Sequence, residues 1–182
     1  MLAKRTIVPP LRLVFLMWLT YWVQVTFSYD FGFLGVLPRE AYGLIGILTA
    51  PLVHGNLTHI ISNTVPLLIL GAALYLFYPR PSNLVFVICY AMPSVFVWIF
   101  GRTFYHIGAS GLVYALAFFL IALGFFRRDA KSILISVAVI VIYGGVLFNT
   151  SMLSSEVSWE AHLFGALVGI GTALGIHRSF ST

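Results

Sequence analysis

Charge is what this sequence lacks most: only 8% of its 182 residues are charged, whereas 60% are hydrophobic and the mean hydropathy is +1.02. Soluble domains carry about 25% charged residues, so this deficit excludes an ordinary soluble fold and makes lipid the main solvent. At about 20 residues per crossing, the chain has room for six or so membrane spans. We therefore expect one membrane domain over residues 1–182, with no separate soluble domain.

Cysteine is also nearly absent. The single residue, Cys89, lies in an apolar run, which excludes an internal disulfide and offers no metal-site spacing. Only five residues are acidic, against ten Lys and Arg. Positive charges this sparse and scattered between apolar runs are typical of membrane topology signals, not of nucleic-acid binding. We expect no nucleic acid partner.

The apolar stretches predict an all-α polytopic membrane protein, because lipid offers no partner for unpaired backbone groups. The first stretch resembles a signal peptide but has bulky aromatic residues where a cleavage site would stand, so we interpret it as an uncleaved helix. Residues 30–55 are interpreted as a loop that lies in or dips into the interface. The six predicted spans are 12–29, 57–78, 83–101, 109–126, 132–148 and 158–177.

The basic residues predict the orientation of these spans. With the N-terminus in the cytoplasm, only Arg39 and Arg102 fall outside. Eight basic residues then fall inside: Lys4, Arg5, Arg12, Arg80, Arg127, Arg128, Lys131 and Arg178. By the positive-inside rule both termini are cytoplasmic. Four glycines in the last span predict close helix–helix contact there: Gly165, Gly169, Gly171 and Gly175.

Five polar residues stand out within the spans: His59, Asn63, Ser110, Tyr114 and His162. Each alone has an ordinary explanation, since serines in membrane helices commonly make packing contacts and a lone His or Asn can join two helices. Their placement favours function, because all three spans that carry them enter from the outside and bring them to a similar depth. His106 and His177 lie at membrane edges, and neither is assigned a role.

The chemistry that these groups suit is acyl transfer. A serine hydroxyl becomes a good nucleophile when an imidazole takes its proton, and the same imidazole then protonates the leaving amine. Ser110 begins a predicted helix, so its backbone N–H is free to stabilise an oxyanion, and Gly108 allows close approach of a substrate. His59 and Asn63 offer further donors. We expect a Ser110–His162 dyad, with the imidazole oriented by packing on Tyr114.

Three motifs resemble those of the rhomboid family of intramembrane serine proteases, of the minimal six-helix bacterial type. His54-Gly55-Asn56-Leu57-Thr58-His59-Ile60-Ile61-Ser62-Asn63 is similar to the family's H-x4-H-x3-N. Residues 108–114 are similar to its G-x-S-G-x-x-Y, and residues 161–169 to its A-H-x-x-G-x-x-x-G. The resemblance covers residues 35–177, and the order of the motifs on spans two, four and six makes it specific.

The resemblance implies a six-helix bundle whose nucleophile is Ser110 and whose base is His162, with Tyr114 stacking under the imidazole. It places His59 and Asn63 in the oxyanion hole and gives His54 a supporting role. It also implies substrates that are transmembrane proteins, no metal or cofactor, a membrane-embedded loop 30–55 and a cap formed by residues 149–157. The first outer loop lacks the Trp-Arg pair of some bacterial members. A core this compact suggests a prokaryotic plasma membrane.

Two other functions fit the sequence less well. A non-catalytic rhomboid-like protein would bind transmembrane clients without cleaving them, but such relatives usually lose the serine or the histidine, and this sequence keeps both. A small transporter or channel would carry polar groups at the midplane, whereas these lie towards one face. The absence of an H-E-x-x-H motif disfavours a zinc protease.

Overall fold

The computed structural model describes residues 8–147 and 158–177, and six long α-helices make up most of this part of the chain. The helix ends lie within four residues of the predicted span ends, because charged and turn-forming residues interrupt the apolar runs at those points. The helices are α1 (Val8–Phe27), α2 (Leu57–Phe77), α3 (Ser82–Phe100), α4 (Ser110–Arg127), α5 (Ala130–Leu147) and α6 (Trp159–Ile176).

Five of these helices, all except α5, are long and apolar enough to cross a membrane. The described apolar stretch of α5, Ala130–Gly145, is shorter, so the sixth crossing remains a prediction, as does the orientation of the termini. Large apolar side chains such as Phe15, Leu134 and Val141 are exposed on the outer faces of the helices. An all-helical, multi-pass membrane protein accounts for these surfaces, because lipid covers them.

Helix α4 is the centre of the bundle. It packs against α2, α3, α5 and α6, and 67% of its apolar segment is buried, compared with 22–39% in the other four spans. The helix is rich in small and medium apolar residues on every side, which is typical of a helix with no lipid-facing surface. The residue at its start therefore lies where several helices meet.

The contact between α4 and α6 depends on two of the four glycines. A Cβ added to Gly165 would lie 2.9 Å from Tyr114 Cβ, and one added to Gly169 would lie 2.8 Å from the Phe119 backbone nitrogen. The expectation that all four glycines serve close packing is wrong for the second pair. Nothing in the described residues lies within 4 Å of a Cβ at Gly171 or Gly175.

The segment between α1 and α2 is more ordered than the loop predicted over residues 30–55. It contains short helical turns at Gly32–Leu34, Ala41–Ile45, Gly46–Thr49 and Ala50–Leu52. The turns fold back on one another because Gly43 and Gly46 lie against the backbones of Leu37 and Gly35. Two backbone hydrogen bonds of 2.9 Å, between Val36 and His106, join this segment to the connection that precedes α4. The predicted cap at 149–157 lies outside the described residues.

Candidate active site

Ser110 follows a turn at Gly108, in the connection that precedes α4. Gly108 has φ +100°, a conformation that favours glycine, and its N–H donates to the Ala50 carbonyl at 2.8 Å. Ala109 is the N-cap residue, and its methyl side chain cannot accept a hydrogen bond from the first turn of α4. Ser110 is the first residue of α4, so its backbone N–H is one of the first-turn donors that have no partner inside the helix. Its side chain is half-buried.

Helix α2 begins with a side-chain cap and carries the two predicted oxyanion donors. The Asn56 side chain accepts from the His59 N–H at 2.8 Å, which fixes the first turn. The His59 ring lies directly on Gly108, since a Cβ added there would be 2.5 Å from His59 Nε2. Asn63 is buried, and its Nδ2 donates to the His59 carbonyl at 2.9 Å. One N–H of the Asn63 amide is therefore used, and the second is available to a ligand.

Helix α6 brings His162 against Tyr114. The Ser158 hydroxyl caps the helix by accepting from the Ala161 N–H at 3.3 Å. The His162 and Tyr114 rings stack with centroids 4.3 Å apart and planes inclined by 8°. Gly165 permits this approach, because a side chain there would collide with Tyr114 and the Gly111 backbone. The stacking on the Tyr114 ring thus restricts the orientation of the His162 imidazole.

One cavity of about 790 Å³ is lined by five of the predicted residues: Ser110, His162, His59, Asn63 and Tyr114. It runs from the loop residue Tyr105 to Pro66 on α2 and Tyr143 on α5. Gly108 and His54 lie behind its lining. Among the described residues, no hydrogen bond joins Ser110 to His162, and His162 Nδ1 is buried without a partner. Catalytic hydrogen bonds are often long before substrate binds.

His54 supports His59 from behind. Its side chain is fully buried, and its ring meets that of His59 edge to face at 4.9 Å. The Gln24 side chain donates to the His54 carbonyl at 3.2 Å and so ties it to α1. Burial, together with the nearby His59, lowers the pKa of His54 to about 4. His54 is therefore a neutral packing partner at pH 7.

Comparison with known proteins identifies the family. Residues 41–179, most of the chain, match the Rhomboid domain. The chain belongs to the rhomboid family.

Several mycobacterial proteins are similar to this rhomboid. It is 34% identical over 148 residues to the uncharacterized protein Rv1337 of Mycobacterium tuberculosis, and the match covers 76% of this chain and 62% of that protein. The figures are the same for the uncharacterized protein Mb1372 of Mycobacterium bovis. The uncharacterized protein ML1171 of Mycobacterium leprae is 35% identical over 147 residues, which cover 71% of this chain and 55% of that protein. The matched part of this rhomboid spans about three fifths of these relatives.

No motif or spacing rule predicts the polar network that the structure shows beside the cavity. Arg102 Nη2 donates to Glu160 Oε2 at 2.9 Å, and His106 Nδ1 lies 2.6 Å from the Ser158 hydroxyl. Arg102 and Glu160 are far apart in the chain, so no spacing rule pairs them, and His106 was assigned no role. The signal available was that Glu160 and His106 are titratable residues close to Ser110 and His162 in sequence.

The titratable residues of the described segments do not form a metal site. Among residues 8–147 and 158–177, no three His, Cys, Asp or Glu side chains come together in a group that could hold a metal ion. The expectation that this rhomboid needs no cofactor stays a prediction.

Proposed function

We propose that this rhomboid is an intramembrane serine endopeptidase that hydrolyses peptide bonds in the transmembrane segments of other membrane proteins. Ser110 is the nucleophile and His162 is the general base. One observation carries the proposal: the Ser110 and His162 side chains, from α4 and α6, line the same cavity together with the His59 and Asn63 donors of α2.

In the first step the Ser110 hydroxyl oxygen attacks the scissile carbonyl carbon, and His162 takes the hydroxyl proton. Since His162 Nδ1 is buried, Nε2 is the nitrogen that we assign to this transfer. The C–N bond then breaks, and the imidazolium returns the proton to the leaving amine. The product of this half-reaction is an ester between Ser110 and the substrate.

The negative oxygen of the tetrahedral intermediate needs donors that are already in place. The Ser110 N–H points out of the uncapped start of α4, where the helix dipole also favours negative charge. The second Asn63 amide hydrogen and the His59 ring complete the set. Each such donor contributes about 10²- to 10³-fold to turnover in serine proteases.

A water molecule completes the reaction. His162 takes a proton from water, the hydroxide attacks the ester carbonyl, and the C–O bond to Ser110 breaks as the proton returns to the Ser110 oxygen. Ser62, Asn63 and Thr58 make part of the cavity polar, which suits a site that must admit water inside a membrane protein. Hydrolysis thus leaves the enzyme unchanged.

The cavity walls indicate the substrate class. Below the polar groups the lining is apolar, with Pro66, Leu70, Val113 and Ala117. An apolar polypeptide segment fits such walls. A peptide bond within an intact helix hides its carbonyl in the i to i−4 hydrogen bond, so the segment must unwind before Ser110 can reach it. The mycobacterial relatives support a bacterial plasma membrane as the location.

The deciding experiment is covalent labelling. The purified protein in detergent is treated with a fluorophosphonate, and the adduct is mapped by mass spectrometry. We expect one adduct on Ser110, none in Ser110→Ala, and strongly reduced labelling in His162→Ala. Ser136→Ala, which removes a serine of α5 that bonds the Ile121 carbonyl, is the matched control and should label like the wild type.

Cleavage of a model transmembrane substrate in liposomes is the second measurement. Ser110→Ala and His162→Ala should each abolish it while the melting temperature stays near that of the wild type. Cleavage retained by Ser110→Ala would disprove the mechanism. A wild-type protein that neither labels nor cleaves would instead favour the non-catalytic, client-binding function.

A further inference from the structure

An ion pair ties the connection before Ser110 to the helix that carries His162. The Arg102 guanidinium bonds Glu160 through both Nε and Nη2, and the Arg102 backbone N–H donates to Glu160 Oε1 at 3.3 Å. Arg102 precedes Gly108 and Ser110 in one connection, and Glu160 lies two residues before His162 in the first turn of α6. The link therefore joins the connection that leads to Ser110 to the helical turn that carries His162.

A hydrogen-bonded chain through His106 forms a second link between the same two segments. His106 Nε2 lies 2.9 Å from the Arg102 carbonyl oxygen, which can only accept, so Nε2 carries the proton. His106 Nδ1 then accepts from the Ser158 hydroxyl at 2.6 Å, and that hydroxyl in turn accepts from the Ala161 N–H. Burial lowers the pKa of His106, which agrees with a neutral ring in this role.

The energetics of the ion pair indicate a purpose other than stability. The Glu160 side chain is 3% exposed and that of Arg102 is 40% exposed. Removing a carboxylate from water costs several kcal/mol, and replacing such pairs by apolar residues is often neutral or stabilising. An ion pair with several hydrogen bonds fixes the distance and the angle between its two partners. An apolar contact does not constrain them in this way.

We propose that Arg102 and Glu160 are positioning residues that set the distance and orientation of the His162 imidazole relative to the Ser110 hydroxyl. The inference rests on the proposed function, since it concerns the same dyad. A displacement of about 1 Å between reacting groups can lower turnover by roughly 10²-fold. Loosening the pair should therefore slow the chemistry much more than it weakens substrate binding.

The test compares three readouts: the second-order rate of fluorophosphonate labelling at Ser110, kcat and KM for a transmembrane substrate, and the melting temperature. Arg102→Met should lower labelling and kcat by about tenfold or more, with KM changed less than about twofold. Arg102→Lys, which keeps the charge but not the planar fork, should recover part of the rate. Arg127→Met, which removes the guanidinium beside Asp129 at the other end of α4, is the control and should label normally.

The double variant Arg102→Met/Glu160→Met separates positioning from stability. It removes the link without leaving an unpaired buried carboxylate, so the melting temperature should return towards that of the wild type while labelling stays slow. Labelling of the double variant at the wild-type rate would overturn the proposal, because the pair would then serve stability alone. In that case Ser110 of the wild type still labels, and the proposed function stands. Absence of wild-type labelling would reject both.

Discussion

At the scale of single residues, the proposed site has an aromatic ring beside its base where many soluble serine proteases have a carboxylate. The acid nearest to His162 in sequence is Glu160, but both of its oxygens are bonded to Arg102. The imidazole is held by the Tyr114 ring, stacked at 4.3 Å. In a low-dielectric interior this arrangement avoids a second buried charge beside the base. The dyad expected from the sequence therefore has a physical rationale.

The two proposed oxyanion donors, Asn63 and His59, give a prediction at the same scale. Asn63→Ala and His59→Ala should each lower turnover by about 100- to 1000-fold, because each removes a donor aimed at the developing charge. Turnover of a transmembrane substrate in liposomes is the measurement. Asn83→Ala and His177→Ala make the same chemical changes outside the cavity and should leave turnover as it is. Unchanged kinetics in the site variants would show that Asn63 and His59 are structural.

His54 predicts a dependence of stability on pH. Its pKa is about 4 in the folded protein and about 6.5 in an unfolded chain, so the unfolded state binds the proton more readily. The contribution of the neutral His54 ring to the free energy of unfolding is complete above pH 6.5 and is lost as the pH falls towards 4. At pH 5 the loss is roughly 2 kcal/mol.

Thermal unfolding in detergent at pH 7 and pH 5 checks this. We expect the wild type to lose more stability over that interval than His54→Leu, which has no imidazole at this position. Equal losses in the two proteins would mean that His54 is protonated as easily in the folded state as in the unfolded chain.

At the scale of helices, the contact between α4 and α6 determines where Ser110 and His162 lie. Its closeness comes from Gly165 and Gly169, whose missing side chains let the helix lie on the α4 backbone. The glycine pattern predicted a closely packed sixth helix, but it could not distinguish the two glycines that face α4 from the two that do not. That distinction depends on the rotation of the helix, which neighbouring helices set.

This difference can be tested with a matched pair of substitutions. Gly165→Ala should destabilise the protein by about 1–3 kcal/mol, the usual range for an overpacked contact, and should lower activity by separating α6 from α4. Gly171→Ala adds the same methyl group where no described atom lies within 4 Å, and alanine's higher helix propensity makes it neutral or slightly stabilising. Unfolding in mixed micelles measures both. Equal stability of the two variants would contradict the packing described.

At the scale of the whole molecule, the sequence predicted the helices well and the connections less well. Helix positions follow from apolar length and from the charges that interrupt it, both of which are local signals. The compact segment between α1 and α2 depends on Gly43 and Gly46 meeting distant backbone, and the Arg102–Glu160 pair depends on the fold itself. The motifs predicted five residues that line one cavity, whereas the polar network beside it depends on tertiary contacts.

Topology is the remaining whole-molecule prediction. Eight Lys and Arg against two predict cytoplasmic termini and six crossings. Reporter fusions check each connection separately. Fusions after Arg80 and Arg128 should be active only as cytoplasmic reporters, and a fusion after Thr103 only as an exported one. An exported reporter after Arg128 would reverse the orientation of α4 and move Ser110 to the other side.

The enclosure of α4 by four neighbouring helices also affects how the protein opens. Helix α1, which packs mainly on α2 and the Ala50–Leu52 turn, can detach by losing the contacts on one side. Helix α4 can unfold only after the contacts on all its sides have separated. In hydrogen–deuterium exchange, the mid-helix amides around Leu116 and Leu120 should therefore be the last to exchange, at a rate close to that of global unfolding. The proposed nucleophile, Ser110, would then stand at the start of the helix that exchanges most slowly, and local opening of the outer helices would leave its position unchanged.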